Sequence, residues 1–317
     1  MAKIYELQTN YRAKIEQSIE LIEKGYIDQA ICLLEDFLVS VTCVDIGTEI
    51  KKQLMSAYTL KREFDAVDRL IASIFEKKRL DLTIAAHDIL VAIFQNQKEM
   101  RQQKENFYFN QLSSFSIKNL KELMYSLKDY YENYWYEQIV KKIDTLQTGT
   151  NLKLKFSIIS DLYEVEEERL MPFTHVLEDI TNSCEIPFVK TALFELMSRK
   201  NLQGVITFKA NGVTRRVLAE PAVLKKMERC YAYAIERLEM LKLDECIQEE
   251  LKQLLVYFYQ YSFPFIDDFY EDDVIKELAQ QVFGLDLEGL NSCETAPTNP
   301  DITYKMSQYI LSLSSLM

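Results

Sequence analysis

Apolar residues recur at helical spacing through most of this chain of 317 residues. In the run LIEKGYIDQAICLLEDFL, Gly25 follows one helical segment. The next segment presents an i, i+3, i+4, i+7 apolar face made of Ala30, Leu33, Leu34 and Phe37. The chain contains only 7 glycines and 6 prolines, too few for a fold with many strands and tight turns. The pattern therefore predicts an all-α fold of helices joined by short loops.

A second copy of this helix pair follows in LMSAYTLKREFDAVDRLIASIF. Its comparable positions are Ala57, Tyr58, Phe64, Val67, Leu70 and Ile71. Ala30 and Val67 lie 37 positions apart, close to the tetratricopeptide (TPR) period of about 34 residues. Two further pairs are predicted, IAAHDILVAIFQNQ with MRQQKENFYFNQL, and IKNLKELMYSLKDYY with YWYEQIVKKIDTL. The segment resembles TPR repeats in pattern, without the Trp-Leu-Gly signature of the first TPR helix, and this implies a TPR-like helical-hairpin solenoid.

A polar segment marks a predicted domain boundary. The run QTGTNLK, residues 147–153, contains a glycine and two threonines that favour the start of a new helix. We expect TPR-like repeats over residues 1–150 and a C-terminal helical region over residues 151–317. Helices of this second region are predicted at residues 152–163, 172–183, 187–200, 221–241, 244–261, 272–283 and 301–316.

The run QGVITFKANGVTRRVLAEP predicts one β-hairpin, residues 204–219, inserted in this helical C-terminal half. Asn-Gly between two alternating runs favours a two-residue type I′ turn. The register then pairs Ala210 with Val213 and Phe208 with Arg215. One face is expected to carry Ile206, Phe208, Ala210, Val213 and Val217, with Arg215 as the exception, and the other Thr207, Lys209, Thr214 and Arg216. Because an isolated two-stranded ribbon is marginal in water, the apolar face must pack on helices.

The same part of the chain carries a family resemblance. The run IPFVKTALFELMSRKNLQGVITFKANGVTRRVLAEPAVL, preceded by TPR-like helices, is similar to a segment of uncharacterised TPR-like proteins of Firmicutes and Mollicutes. The similarity covers residues 185–224 in sequence and the rest of the chain in architecture. It implies a bacterial protein with helical repeats and a C-terminal segment of unknown function, and it implies no mechanism.

Charge is distributed unevenly along the chain. Residues 189–229 contain nine basic and three acidic residues, a net charge of +6, whereas the whole chain carries −12 and the remainder therefore −18. The basic-patch candidates are Lys190, Arg199, Lys200, Lys209, Arg215 and Arg216. Three helices followed by a hairpin is also the order of a winged helix, so residues 187–219 could contact nucleic acid. In that interpretation Lys190, Thr191, Ser198 and Arg199 face outward on the third helix; alternatively the cations meet an acidic partner or the protein's own carboxylates.

The run DYYENYWY supplies candidate peptide-binding residues. Tyr130, Tyr131, Tyr134 and Trp135 fall at a predicted turn between two helices. Aromatic side chains are effective contact surface for an extended peptide. The same spacing is also typical of an interhelical core.

An acidic cluster at residues 267–273, within FIDDFYEDDVIKEL, is the weak candidate for a metal site. Asp267, Asp268 and Glu271 are residue types that bind Mg²⁺, which would make the protein a Mg²⁺-dependent enzyme. No second carboxylate cluster is evident to complete such a site. The alternative is an acidic first turn that complements a helix N-terminus.

The remaining sequence features favour an interaction protein. The N-terminus lacks a signal-peptide pattern, no run reaches the length of a membrane span, and the 6 cysteines are scattered, so we expect reduced thiols in the cytoplasm. The 2 histidines have no ligand-spaced partner and no glycine-rich phosphate loop is present. We therefore expect a non-enzymatic scaffold or adaptor that binds a protein or peptide, with no cofactor, metal, catalytic residue or membrane partner, and a nucleic-acid-associated regulator as the alternative.

Overall fold

The computed structural model describes residues 2–75, 81–210, 213–241, 243–265 and 271–283. Within them the chain is predominantly helical and contains one two-stranded antiparallel sheet. The chain divides into two compact units, Met1–Gln138 and Ile139–Met317. The predicted combination of helices with one hairpin is confirmed at this level.

Unit 1, Met1–Gln138, consists of helices that pack on their neighbours in sequence. The described helices are α1 (Ala2–Glu23), α2 (Ile27–Ser40), α3 (Val44–Lys61), α4 (Phe64–Phe75), α5 (Leu82–Phe94), α6 (Lys98–Phe109) and the first part of α7 (Ser114–Thr148). Each of α1 to α5 packs on the helix that follows it, and α1 with α3 and α3 with α5 are also in contact. The first three predicted helix pairs are α1–α2, α3–α4 and α5–α6.

The three helix pairs of unit 1 share one type of turn. After the first helix of each pair comes a residue in the left-handed conformation: Gly25 (φ 83°), Arg62 (φ 63°) and Asn96 (φ 56°). In each case the next residue donates its N–H to a carbonyl five positions back, as in Tyr26 to Leu21 at 2.8 Å and Gln97 to Ala92 at 2.9 Å. This is the Schellman ending of a helix. Its recurrence spaces the turns 37 and 34 residues apart.

Small residues let these helices approach closely. Ala30 and Ala57 have no exposed surface, as the apolar spacing predicts. Leu34, Phe37 and Val67 are also buried. The core of unit 1 is therefore built on the faces that the two clearest sequence copies indicate.

The fourth predicted helix pair is wrong, because α7 is a single helix of 35 residues, Ser114–Thr148. No glycine or proline interrupts this stretch, and the aromatic residues at the predicted turn continue the helix instead. Helix α8 is also capped differently from the prediction. Asn151, and neither of the two threonines, accepts a hydrogen bond from the Leu154 N–H at 3.1 Å.

Unit 2, Ile139–Met317, packs helices and the hairpin around one large core. Its described elements, after the end of α7, are α8 (Leu152–Tyr163), α9 (Glu167–Leu170), a 3₁₀ turn (Met171–Phe173), α10 (Thr174–Ser183), α11 (Pro187–Arg199), β1 (Val205–Ala210), β2 (Val213–Leu218), α12 (Pro221–Glu239), α13 (Glu245–Ser262) and α14 (Glu271–Phe283). Helix α11 is central, since it contacts α8, α10, α12 and α13.

The hairpin has the predicted register. Ala210 pairs with Val213, Phe208 with Arg215 and Ile206 with Val217. Asn211 and Gly212 at the tip lie outside the described residues, as does the predicted helix 301–316. Helix α11, which precedes the hairpin, also ends in a Schellman motif. Asn201 after the helix is left-handed (φ 49°), and the Leu202 N–H donates to the Met197 carbonyl at 2.8 Å.

Replacing Gly25 by alanine tests the repeated turn. A Cβ at this position meets no atom within 4 Å, so the cost is conformational, and Gly25→Ala should lower the free energy of unfolding by about 1 kcal/mol. Gly25→Asn is the matched control and should cost less, because asparagine tolerates the left-handed region. Urea denaturation measures both. Equal stability of wild type and Gly25→Ala would contradict the left-handed turn.

Candidate functional site

Three phenylalanine rings pack the hairpin against the helices of unit 2. Phe208 on β1 lies edge-on to Phe194 of α11, with ring centroids 5.7 Å apart, and edge-on to Phe263 at 5.2 Å. Phe194 and Phe263 are themselves 4.8 Å apart. All three rings are buried, as is Ile206 on the same face of the hairpin. Edge-to-face pairs at such distances stabilise a packed core beyond the area they bury.

The six basic-patch candidates do not form one exposed surface. Lys190 lies 5.5 Å from the centre of the Phe208 ring and donates to the Asn182 carbonyl at 3.3 Å, and burial lowers the pKa of this lysine. Arg215 lies 4.7 Å from the centre of the Phe265 ring and donates to the Pro264 carbonyl at 2.9 Å. A cation–π contact of this kind keeps the charged group close to the aromatic ring.

The other four candidates differ in exposure. Arg199 pairs with Glu228 at 2.9 Å, and Lys200 is half-buried. Lys209 and Arg216 are exposed on the outer face of the hairpin, together with Thr214. The outer face therefore has the predicted composition but carries only two of the six cations.

The predicted outward side of α11 is wrong at two positions. Thr191 is 2% exposed, and its hydroxyl donates to the Gln260 carbonyl of α13 at 2.8 Å. Ser198 has no exposed surface. Because α11 contacts four helices, it presents no continuous polar face of the kind that a recognition helix needs to enter a groove of DNA.

The four peptide-binding candidates on α7 are also divided by burial. Tyr131 and Trp135 lie in the core of unit 1, where the indole Nε1–H donates to the Leu60 carbonyl at 2.8 Å. Tyr134 is half-buried and packs against that core. Tyr130 is 48% exposed. These side chains do not share one surface.

A buried polar network lies beside Tyr131. His87 of α5 is 1% exposed, and its Nδ1 is 2.8 Å from the Thr83 carbonyl. Nδ1–H therefore donates there, which leaves Nε2 to accept from the Tyr131 hydroxyl at 2.8 Å. Ser56 Oγ is 3.3 Å from the same nitrogen. Burial lowers the pKa of His87 and raises that of Tyr131, so both groups are neutral and the network holds α3, α5 and α7 together.

The turn between α3 and α4 borders a pocket of about 370 Å³. Arg62 lines it, and the Arg62 guanidinium lies 5.1 Å from the centre of the Trp135 ring. The other lining residues include Glu63, Phe64, Asp65, Arg69 and Gln95. Charges of both signs around one aromatic ring give this pocket no single ligand preference.

The metal candidates fall largely outside the described residues. This applies to Asp267 and Asp268, and of Glu271 only the backbone, at the start of α14, is described. Within the described part of the chain, no three His, Cys, Asp or Glu side chains come together as a metal site.

An aromatic stripe on α7 escaped the sequence analysis. Phe115 is 72% exposed, Tyr125 is 75% exposed and Tyr136 is 51% exposed. At about 100° per residue these three positions fall within about 80° of the helix circumference. Lys118 and Glu122, which form an i, i+4 pair at 3.7 Å, lie between the first two rings. We call Phe115, Tyr125 and Tyr136 the α7 stripe. Spacings of 10 and 11 residues would have indicated it, had α7 been predicted as one helix.

No protein-family model matches this chain, and neither does any curated protein or any solved structure. None of the helices within the described ranges is long and apolar enough to span a membrane. The function is therefore inferred from the residues of this chain alone.

The pH dependence of stability tests the assignment of a neutral, buried His87. Its folded-state pKa lies below the unfolded value of about 6.5, so the unfolded state takes up the proton first as pH falls. The free energy of unfolding should therefore decrease between about pH 7.5 and about pH 5.5, and His87→Gln should remove part of that slope. Urea denaturation across this range provides the measurement. The control is His175→Gln, at a side chain that is 96% exposed; an unchanged slope in His87→Gln would contradict the assignment.

Proposed function

We propose that this protein is a non-enzymatic interaction module, a scaffold or adaptor that binds a partner protein through the α7 stripe. The observation that carries the proposal is the exposure of Phe115, Tyr125 and Tyr136 on one side of a single helix. Aromatic residues are enriched at the centres of protein interfaces because they bury a large area at a small cost in conformational entropy.

The surroundings of the α7 stripe fit such an interface. The intervening Lys118, Glu122 and Asp129 are exposed and separate the three rings with charged groups that are available for hydrogen bonds to a partner. On the opposite side of α7, Trp135 and Tyr131 pack into the core of unit 1. The stripe is therefore presented by a rigid element, which reduces the entropy lost on binding.

A TPR-like architecture for unit 1 is part of this proposal. Three consecutive helix pairs with the same left-handed turn, spaced 37 and 34 residues apart, support it, since the TPR period is about 34 residues. Contacts of α1 with α3 and of α3 with α5 support a stacked order of these pairs. The resemblance to TPR-like proteins of Firmicutes and Mollicutes points the same way. The bacterial origin in this proposal follows from the same resemblance. A cytoplasmic location is supported by Cys32, Cys43, Cys184 and Cys246, which are thiols in the described part of the chain.

Nucleic-acid binding through residues 187–219 is not favoured by a specific observation. Arg199 is paired with a carboxylate, and Lys190 and Arg215 are held against phenylalanine rings. The cations of the segment thus serve different local contacts, whereas phosphate binding requires several of them to be available together.

Site-specific photo-crosslinking in the cells that produce the protein tests this function. A photoreactive residue at position 125 should capture a discrete partner protein. In a second experiment, Phe115→Ser combined with Tyr125→Ser should reduce the recovered partner by at least about tenfold, since truncating two interface anchors costs more than about 1 kcal/mol each.

Tyr130 provides the matched control for that experiment. It is an exposed aromatic residue of the same helix and lies about 140° around the axis from Tyr125. A photoreactive residue at position 130 should capture little of the partner, and Tyr130→Ser should leave its recovery unchanged. Equal capture from both positions, or full recovery by the doubly substituted chain with an unchanged melting curve, would refute the α7 stripe as the binding surface.

A further inference from the structure

The two edges of the β-hairpin differ in how their backbone groups are satisfied. The register pairs Ala210 with Val213 across a two-residue loop, which makes this pair and every second pair after it hydrogen-bonded. The N–H and C=O groups of Val205, Thr207 and Lys209 on β1, and of Thr214, Arg216 and Leu218 on β2, therefore point away from the ribbon.

Side chains of α10 cover the β1 edge at Val205 and Thr207. Asn182 accepts from the Thr207 N–H at 2.8 Å and donates its amide to the Val205 carbonyl at 3.1 Å. Glu178 accepts from the Val205 N–H at 3.0 Å. The Asn182 amide thus occupies the place of a peptide group in a neighbouring strand, and β1 cannot accept another chain there.

The β2 edge has no such cover. Among the residues that the structure describes, none forms a hydrogen bond with the outward N–H or C=O groups of Thr214, Arg216 or Leu218. All three side chains are exposed, Leu218 by 43%. An edge strand of this kind is a template for pairing with another extended chain.

The side chains along this edge define the chemistry of a partner strand. Arg216 and Lys209 give the outer face two exposed cations, separated by Thr207 and Thr214, and Leu218 adds an apolar position two residues beyond Arg216. Opposite charges and apolar pairs directly across two strands are favourable. A partner strand should therefore place a carboxylate opposite Arg216 and an apolar side chain opposite Leu218.

We propose that β2 binds an extended acidic peptide segment of another protein as a third, antiparallel strand of the hairpin. Backbone hydrogen bonds to Thr214, Arg216 and Leu218 hold the peptide in place. One of its carboxylates lies directly opposite Arg216, and Lys209, on β1 beyond Thr214, adds positive charge to the same face. This site lies in unit 2 and is independent of the α7 stripe, so it goes beyond the proposed function and does not depend on it.

Charge distinguishes this partner from a second copy of the chain. Antiparallel pairing of β2 with β2 of another copy would bring two Arg216 side chains towards each other, and like charges across strands are unfavourable. Nucleic acid is disfavoured by geometry, because phosphates would use the two cations and leave the backbone groups of the edge without partners.

Fluorescence anisotropy with a labelled synthetic peptide tests the proposal. The probe contains the sequence Val-Thr-Glu-Thr-Glu, which in an antiparallel strand places valine opposite Leu218 and the first glutamate opposite Arg216. We expect saturable binding to the full chain. N-methylation of the valine and the two glutamates removes the three N–H groups that face β2 and should weaken binding by at least about tenfold, because three hydrogen bonds are lost. N-methylation of the threonines should change it by less than about twofold.

Variants of the protein provide the second arm. Thr214→Pro removes one outward N–H without breaking the ladder and should weaken binding, whereas Thr214→Val should not. Arg216→Glu should weaken binding of the glutamate peptide by about fivefold or more and strengthen binding of the same peptide with lysines in place of glutamates.

The proposal is overturned by any of four results. The first is absence of binding, and the second is equal sensitivity to N-methylation at the glutamates and at the threonines. The third is preferential binding of a single-stranded DNA oligonucleotide that Arg216→Glu abolishes and Thr214→Pro leaves intact. The fourth is a dimer in analytical ultracentrifugation that Thr214→Pro converts to monomer, because a second copy would then cover the edge.

Discussion

The burial of Phe208 between Phe194 and Phe263 determines the orientation of the hairpin, and through it the chemistry of this part of unit 2. Side chains alternate across a strand, so one buried ring on β1 commits every second residue of the ribbon to the same side. Ile206 follows Phe208 into the core, and Arg216 faces outward. With the face fixed, α10 meets the β1 edge and leaves the β2 edge exposed.

The same packing accounts for the unequal environments of the basic residues. A segment with a net charge of +6 suggests one electropositive surface, yet its cations fall on both sides of a two-sided ribbon and around a buried helix. Lys190 lies against Phe208, one of the rings that anchor the hairpin, and Arg215 lies against the neighbouring Phe265. Lys209 and Arg216 remain on the outer face, where they accompany an exposed strand edge. Sequence charge alone overstates the electropositive surface, because it does not record which side of each element is covered.

The sequence predicted local structure well wherever a residue acts through its own backbone preference. Asn211-Gly212 predicted the register of the hairpin, and Gly25 predicted the end of the first helix. The errors arose where tertiary contacts decide. The aromatic run around Tyr131 and Trp135 was interpreted as a turn, but their packing on α3 and α5 keeps α7 helical. That error also concealed the α7 stripe, which is visible only when Ser114–Thr148 is one helix.

The prediction of an outward side of α11 was wrong for a related reason. Thr191 and Ser198 are polar, and polarity predicts exposure only for a helix that has a free side. Helix α11 has contacts on several sides, so its hydroxyl groups are buried. The closure of the β1 edge by Asn182 could not be predicted either, because the residue is 23 positions from Val205 in sequence and carries no local signal of the contact.

Amide hydrogen exchange, resolved by residue with NMR, tests the asymmetry of the hairpin edges most directly. We expect protected amides at Val205 and Thr207, which donate hydrogen bonds to Glu178 and Asn182. We expect fast exchange at Thr214, Arg216 and Leu218 in the free protein and protection of these three amides when the acidic peptide is bound. Slow exchange at Thr214 and Arg216 in the free protein would contradict an open β2 edge, because it would show that this edge is already paired.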